Sequence, residues 1–242
     1  MKTVRKMRIR RHLPNAITCC NLISGCIAVT FALSGELRMA FLMIILGAVF
    51  DFFDGLVARL LGVTSPIGKE LDSLADVVTF GVAPSALIFQ VLQGFSLPDE
   101  MMAIQPFVPY LSFLIAAFSA LRLAKFNLDE RQLTSFIGLP TPANALFWGA
   151  FVVAQDTGAL HSALGQTIIL VGILVSCWLL VSEVPLFALK FKSWGWKGNE
   201  IRYVFLFLAV LNILLLGIGG IASIVILYIF LSLLPKRKSE EK

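Results

Sequence analysis

The chain has 242 residues, of which 58% are hydrophobic and 14% charged, against about 25% charged in a soluble globular domain. That composition excludes a water-soluble fold and reads as an integral membrane protein with one membrane domain. The net charge of +5 does not point to nucleic acid, because the basic residues sit in short flanks between apolar runs.

Residues 1–14 form a basic flank, "MKTVRKMRIRRHLP". It is expected to be retained on the cytoplasmic side, since no small-residue cleavage site precedes the spans that follow. Its charges would also favour anionic lipid, at roughly 1 kcal/mol per charge near the surface. A helix needs about 20 apolar residues, with a range of about 17–25, to cross hydrocarbon. Eight segments are candidates: 15–34, 38–61, 68–93, 105–126, 140–156, 163–182, 201–217 and 219–234. The predicted fold is therefore all-α, a polytopic bundle of about eight transmembrane helices over residues 15–234. A cytoplasmic tail follows at 235–242. The last break, at Gly217, Gly219 and Gly220, is the weakest, and residues 201–234 also read in part as one long tilted helix.

An even number of spans places both termini on one side. With the N-terminus inside, Arg38 alone among the 20 Lys and Arg residues falls outside, as the positive-inside rule requires. Cys19, Cys20, Cys26 and Cys177 lie in apolar runs without metal-ligand spacing. They are expected to be free thiols packed as small apolar groups. His161 is expected on the outer side, and His12 in the interfacial flank.

The second and third spans form a hairpin over residues 38–93 that carries carboxylates at membrane depth. Asp51 and Asp54 lie toward its turn in one arm, and Asp72 and Asp76 just after the turn in the other. At about 1.5 Å per residue, Asp51 sits roughly 15 Å before the turn and Asp76 roughly 12 Å after it. Spacings of three and four place each pair on one helix face. Ionisable groups at this depth are costly unless paired or hydrated, and they mark function by default. Four facing carboxylates repel, and two hard divalent cations would neutralise them. Two-metal sites of this kind serve phosphoryl displacement. Gly55 and Ala58 would then clear room for a ligand, and Arg59 would contact phosphate. Three other readings stand beside this one. The acids could form a cation or proton pathway. They could pair with Arg59, Lys69 and Arg122 as structural ion pairs. Gly55 and Ala58 could simply serve close helix packing.

The spacing Asp51-x2-Asp54-Gly55-x2-Ala58-Arg59-x8-Gly68-x3-Asp72-x3-Asp76 resembles the signature of the CDP-alcohol phosphatidyltransferase family at every fixed position. Further stretches, "LPNAITCCNLISG", "SLADVVTFGVAPS", "LRLAKFN" and "FIGLPTPANA", resemble its serine-accepting branch, the CDP-diacylglycerol–serine O-phosphatidyltransferases. Residues from about 183 onward carry no interpretable motif.

The resemblance implies phosphatidyl transfer from CDP-diacylglycerol to L-serine, giving phosphatidylserine and CMP in phospholipid biosynthesis. It implies a divalent cofactor, Mg²⁺ or Mn²⁺ as two ions, with Asp51, Asp54 and Asp72 as ligands. Asp76 is implied as ligand, general base or both. Gly55, Ala58, Arg59 and Gly68, with Thr18 and Asn21, would bind CDP-diacylglycerol; a local helix hydrogen bond is the alternative role for Thr18 and Asn21. Arg122, with Lys125, is expected to hold the serine carboxylate, and Asn127 and Asn144 join the acceptor candidates. Flanking positive charge is the alternative for Arg122 and Lys125, and a simple helix start for the Pro140–Asn144 stretch. A homodimer in contact with membrane lipids, with its active site facing the cytoplasm, completes the expectation. Glycerol 3-phosphate or an inositol phosphate is the rival acceptor, and a cation or proton transporter the rival class.

Overall fold

The computed structural model describes residues 2–63, 65–97, 99–129, 136–155, 157–186, 195 and 199–233. The side chains of 2–11 and the predicted tail, 235–242, lie outside the described residues, as do Arg131, Lys190, Lys192 and Lys197 of the charge argument. Helix α1 spans Lys2–Leu33 and α2 spans Leu37–Leu61. The third rod is continuous: α3 at Pro66–Asp76, a π-helical turn at Val77–Val82, and α4 at Ala83–Leu92. A 3₁₀ segment, Asp99–Ser112, leads into α5 at Phe113–Leu128. Then come α6 at Thr141–Ala154, the short α7 at Thr157–His161, α8 at Ala163–Val181, α9 at Glu200–Leu216 and α10 at Gly219–Leu233.

All eight predicted spans are helical in their described parts. Among the described residues, five stretches are long and apolar enough to cross a membrane: His12–Leu33, Leu37–Leu61, Pro66–Leu92, Met102–Leu128 and Ala163–Val181. Thr141–Ala154 and Gly219–Leu233 are shorter apolar helices, and α9 has 17 residues. The final two helices are separate. Gly217 ends α9 at φ +55°, a conformation that favours glycine, and the Ser223 hydroxyl donates to Asn212 Oδ1 at 2.6 Å across the pair.

Local chemistry explains the hairpin turn. Gly62 closes α2 in the left-handed conformation, its N–H meeting the Ala58 and Arg59 carbonyls, as a helix C-terminus requires. Ser65 caps α3 by accepting from the Gly68 N–H at 2.9 Å, and Pro66 takes the first turn, where its missing N–H is not needed. Pro84 contributes a local cause to the π turn. Pro84 lacks an N–H and its ring clashes with a carbonyl four residues back in an ordinary helix. The wider turn relieves that clash, with the Ala83 N–H reaching the Val78 carbonyl.

The core is apolar and rich in small residues. Ala28, Ala32, Ala40, Phe41, Ile44, Phe80, Leu87 and Ile88 pack with Trp148, Ile169 and Ile173, and Trp148 Nε1 donates to Ser176 Oγ at 2.9 Å. Large aliphatic side chains instead cover the outside, such as Leu60, Leu128, Leu214 and Leu215, the inverse of a soluble protein. Three of the four cysteines depart from expectation: Cys19, Cys20 and Cys26 are exposed free thiols, and only Cys177 is buried. Apolar sequence does not distinguish a lipid-facing position from a packed one. Among the described residues the helices are accompanied by a two-residue antiparallel ladder, β1 at Phe136–Ile137 with β2 at Pro185–Leu186, in a fold that is otherwise helical, as expected. Gly138, at φ +74°, follows it and donates to the Val184 carbonyl at 3.0 Å, fixing the entry into α6.

Candidate active site

The capped turn sets α2 against α3 so that their acidic faces meet. One carboxylate oxygen each from Asp51, Asp72 and Asp76 lies within 4.8 Å of the others. Asp54 stands beside this trio, within Coulombic reach of all three. Asp54 and Asp76 are buried, while Asp51 and Asp72 are half-buried. The predicted convergence of the four acids is therefore present, with Asp54 one step to the side.

Helix α1 supplies the neutral partners. The Thr18 hydroxyl lies 2.6 Å from Asp54 Oδ2 and donates to it. It also lies 3.1 Å from the Pro14 carbonyl, so the local helix contact coexists with the long-range one. Asn21 Nδ2 donates to Asp76 Oδ1 at 3.2 Å. Thr18 and Asn21 thus each hold one acid, on different arms of the hairpin. Sequence reasoning placed both beside the nucleotide, and Thr18 does line the adjoining cavity.

That cavity, of about 550 Å³, opens between α1, the end of α2 and the start of α3. Pro14, Asn15, Thr18, Gly55, Ala58 and Gly68 contribute to its wall, and Asp54 and Asp72 reach it from the acidic cluster. Gly55 borders empty space: a Cβ built there meets nothing within 4 Å. Its small size leaves volume free and serves no helix contact. Gly68 differs, because a Cβ there would come within 3.0 Å of Ser65 Oγ and 3.1 Å of Asn15 Oδ1. Arg59 is exposed at the end of α2 and is not on the cavity wall.

The acceptor candidates divide. Arg122 turns inward and is 8% exposed, with its guanidinium 5.3 Å from the Phe126 ring centre. It lies within Coulombic reach of Asp76. Lys125 is exposed, so the two cations expected to share a face do not share an environment. Asn127 ties α5 to the hairpin: its side chain donates to Ser73 Oγ at 2.8 Å, and its carbonyl accepts from Lys69 Nζ at 3.0 Å. Asn144 is fully buried on α6. Sequence reasoning missed Ser119 and read Thr141 only as part of a helix start; both are also fully buried. Ser119 Oγ, Arg122 Nε, Thr141 Oγ1 and both side-chain polar atoms of Asn144 find no hydrogen-bond partner among the described residues. Unmet buried polar groups cost about 1–3 kcal/mol each, so their concentration on α5 and α6, which both pack against the π turn, marks a polar interior beyond Asp76. Their three-residue spacings, Ser119 to Arg122 and Thr141 to Asn144, were the available signal.

The donor set suits a hard divalent cation. All ligand atoms in the trio are carboxylate oxygens, which such ions prefer, and oxygens of one coordination shell lie at most about 4–5 Å apart. Asp72 Oδ1 is buried without a hydrogen-bond partner, leaving a lone pair free for a metal.

The model of the CDP-alcohol phosphatidyltransferase family matches residues 11–178, a stretch that holds the acidic hairpin, the α1 partners and the polar interior. The chain belongs to the CDP-alcohol phosphatidyltransferase family. Among its relatives is a Bacillus subtilis protein named CDP-diacylglycerol–serine O-phosphatidyltransferase, 41% identical over 132 residues, covering 54% of this chain and 70% of the relative. A Helicobacter pylori (strain J99) protein of the same name is 34% identical over 202 residues, 80% of this chain and 79% of the relative. A third, from Methanocaldococcus jannaschii, is 35% identical over 159 residues, 66% and 68% respectively. The phosphatidyltransferase family match ends within α8, so α9 and α10 lie outside it.

Proposed function

We propose that this chain transfers a phosphatidyl group from CDP-diacylglycerol to L-serine, giving phosphatidylserine and CMP. The observation that carries the reading is the meeting of three carboxylate oxygens within 4.8 Å beside a 550 Å³ cavity. The names of the relatives support serine as the acceptor. A transport pathway finds less support, because past Asp76 the third rod buries Phe80, Ala83, Leu87 and Ile88 in the core.

Asp51, Asp54, Asp72 and Asp76 would hold two divalent ions, Mg²⁺ or Mn²⁺, in this reading. When bound, the ions neutralise the pyrophosphate of the lipid nucleotide and the charge that grows on the departing phosphate. The cytidine diphosphate lies in the cavity against Gly55, Ala58, Gly68 and Thr18, with Asn21 behind them, and the acyl chains stay in lipid. Arg59, exposed at the end of α2, would contact the phosphates. Asp76 accepts the proton of the serine hydroxyl. The serine oxygen bonds to the phosphorus that bears diacylglycerol, and the bond from that phosphorus to the CMP oxygen breaks. CMP leaves with the electron pair. Arg122 holds the serine carboxylate, and Asn144 offers polar contacts to the same molecule; Lys125, exposed on α5, and Asn127, bonded to Ser73 and Lys69, complete the acceptor candidates. The charge pattern of the sequence supports both termini and the active site facing the cytoplasm. A homodimer in contact with membrane lipids is part of the same proposal.

The test uses membranes containing the protein, supplied in parallel with labelled serine, glycerol 3-phosphate and inositol. CMP release that depends on serine and on divalent metal is the expected result. Turnover with another acceptor alone keeps the family and rejects serine. A second measurement isolates Arg122. Replacing it by Gln removes a charged hydrogen-bonding partner, a contact of about 1.5–3 kcal/mol. The KM for serine rises by about tenfold to a hundredfold, while that for CDP-diacylglycerol stays within about twofold. Equal increases in both would remove Arg122 from the acceptor site.

A further inference from the structure

Thr79 belongs to no part of the mechanism above, yet it is fully buried in the π turn three residues past Asp76. Its hydroxyl donates to the main-chain carbonyl of Asn21 at 3.0 Å. Asn21 in turn donates from its side chain to Asp76 at 3.2 Å. Two glycines leave room for this contact from opposite helices. A Cβ at Gly25 on α1 would come within 2.8 Å of the Thr79 Cα and would strike its hydroxyl. A Cβ at Gly47 on α2 would strike the Thr79 methyl and come within 3.0 Å of Asn21 Oδ1. Thr79 is therefore seated where α1, α2 and the third rod meet, with backbone on one side and the amide that holds Asp76 on the other.

We propose that Thr79, seated between Gly25 and Gly47, is a positioning residue that fixes Asn21 and through it aims the Asp76 carboxylate at the metal site. The π turn is what allows this. Three residues past Asp76, a regular helix would carry the side chain about 300° around the axis; the wider turn changes that angle and presents Thr79 to α1. Groups that orient a ligand from behind typically govern metal affinity by tenfold to a hundredfold. Thr79 acts one bond further out, so the lower end applies. This inference rests on the reading of the four aspartates as metal ligands, and not on serine as the acceptor.

The test titrates Mn²⁺ into the purified, detergent-solubilised full chain and follows free Mn²⁺ by electron paramagnetic resonance, with no substrate present. Thr79→Val keeps the shape and removes the hydroxyl, and weakens Mn²⁺ binding by about tenfold. Thr79→Ser keeps the hydroxyl and stays within about twofold of wild type. In an Asn21→Ala background the Thr79→Val effect disappears, because the main-chain carbonyl that Thr79 holds remains but the side-chain amide that reaches Asp76 is gone; a merely structural role would leave the two effects additive. Should Thr79→Val fail to fold, Gly47→Ala reports the same linkage by pressing on Thr79 and Asn21 together, and weakens Mn²⁺ binding while the hydroxyl is retained. Wild-type affinity in Thr79→Val or in Gly47→Ala, equal losses in Thr79→Val and Thr79→Ser, or additivity with Asn21→Ala each overturns the proposal. A wild-type chain that binds no Mn²⁺ removes its foundation, whichever acceptor the enzyme uses.

Discussion

Replacing Asp76 by Asn lowers CMP release by about 100-fold to 10,000-fold, the range associated with loss of a positioned acid or base. The substitution is nearly isosteric. The amide oxygen can still accept from Asn21 Nδ2, now 3.2 Å from Asp76 Oδ1, so the packing around this buried position is retained. What disappears is the charge and the capacity to take a proton from the acceptor hydroxyl. Stability moves the other way. Asp76 lies with Asp51 and Asp72 in one cluster, and like charges this close repel. In the presence of chelator, D76N is therefore at least as stable as wild type, measured as Tm in detergent. A variant with near-normal turnover would exclude Asp76 from catalysis. A variant that is inactive and also markedly less stable would make the loss a folding defect.

Exhaustive chelation abolishes turnover altogether, and Mg²⁺ or Mn²⁺ restores it. The reasoning begins with the acids. Asp51, Asp54, Asp72 and Asp76 crowd one site, and their described neighbours Thr18 and Asn21 offer hydrogen bonds but no positive charge. Arg122 is the one described cation that combines burial with Coulombic reach of Asp76. One positive charge does not balance four negative ones, so a divalent ion bound there favours the folded state. Ligand present at about 100 times its dissociation constant stabilises a protein by about 2.7 kcal/mol. Wild type thus gains Tm on adding Mg²⁺ or Mn²⁺, and a D51N/D72N double variant does not. Full activity in metal-free conditions, or equal thermal gains in both proteins, would contradict a metal site at this hairpin.

The hairpin was legible because its signals are local. The stretch from Gly62 to Pro66 breaks two apolar runs, and the acids on either side follow from helical spacing. Contacts between distant helices were not legible. Thr18 meeting Asp54 and Asn21 meeting Asp76 depend on the register of α1 against the hairpin, which no periodicity in α1 encodes. Facing was obscured for another reason. In a membrane both the lipid side and the packed side are apolar, so Cys19, Cys20 and Cys26 could be expected inside and yet lie outside. Arg122 and Lys125 share a sequence neighbourhood but not a fate: one is buried, the other exposed. The Pro84 signal was present in the third span, yet a proline inside a helix permits a kink, a break or a π turn; packing on α1 and α5 accompanies the third of these.

The place of α1 has a consequence for biogenesis. Two of its polar side chains, Thr18 and Asn21, are the hydrogen-bond partners of acids on the second and third rods, and it leaves the ribosome before either of them. Inserting an aspartate at mid-bilayer costs about 2.5–3.5 kcal/mol on scales measured with the translocon. Because the complement is synthesised first, each acidic segment enters lipid beside a helix already able to receive it. Chain order thus puts α1 in place before the acidic hairpin follows it.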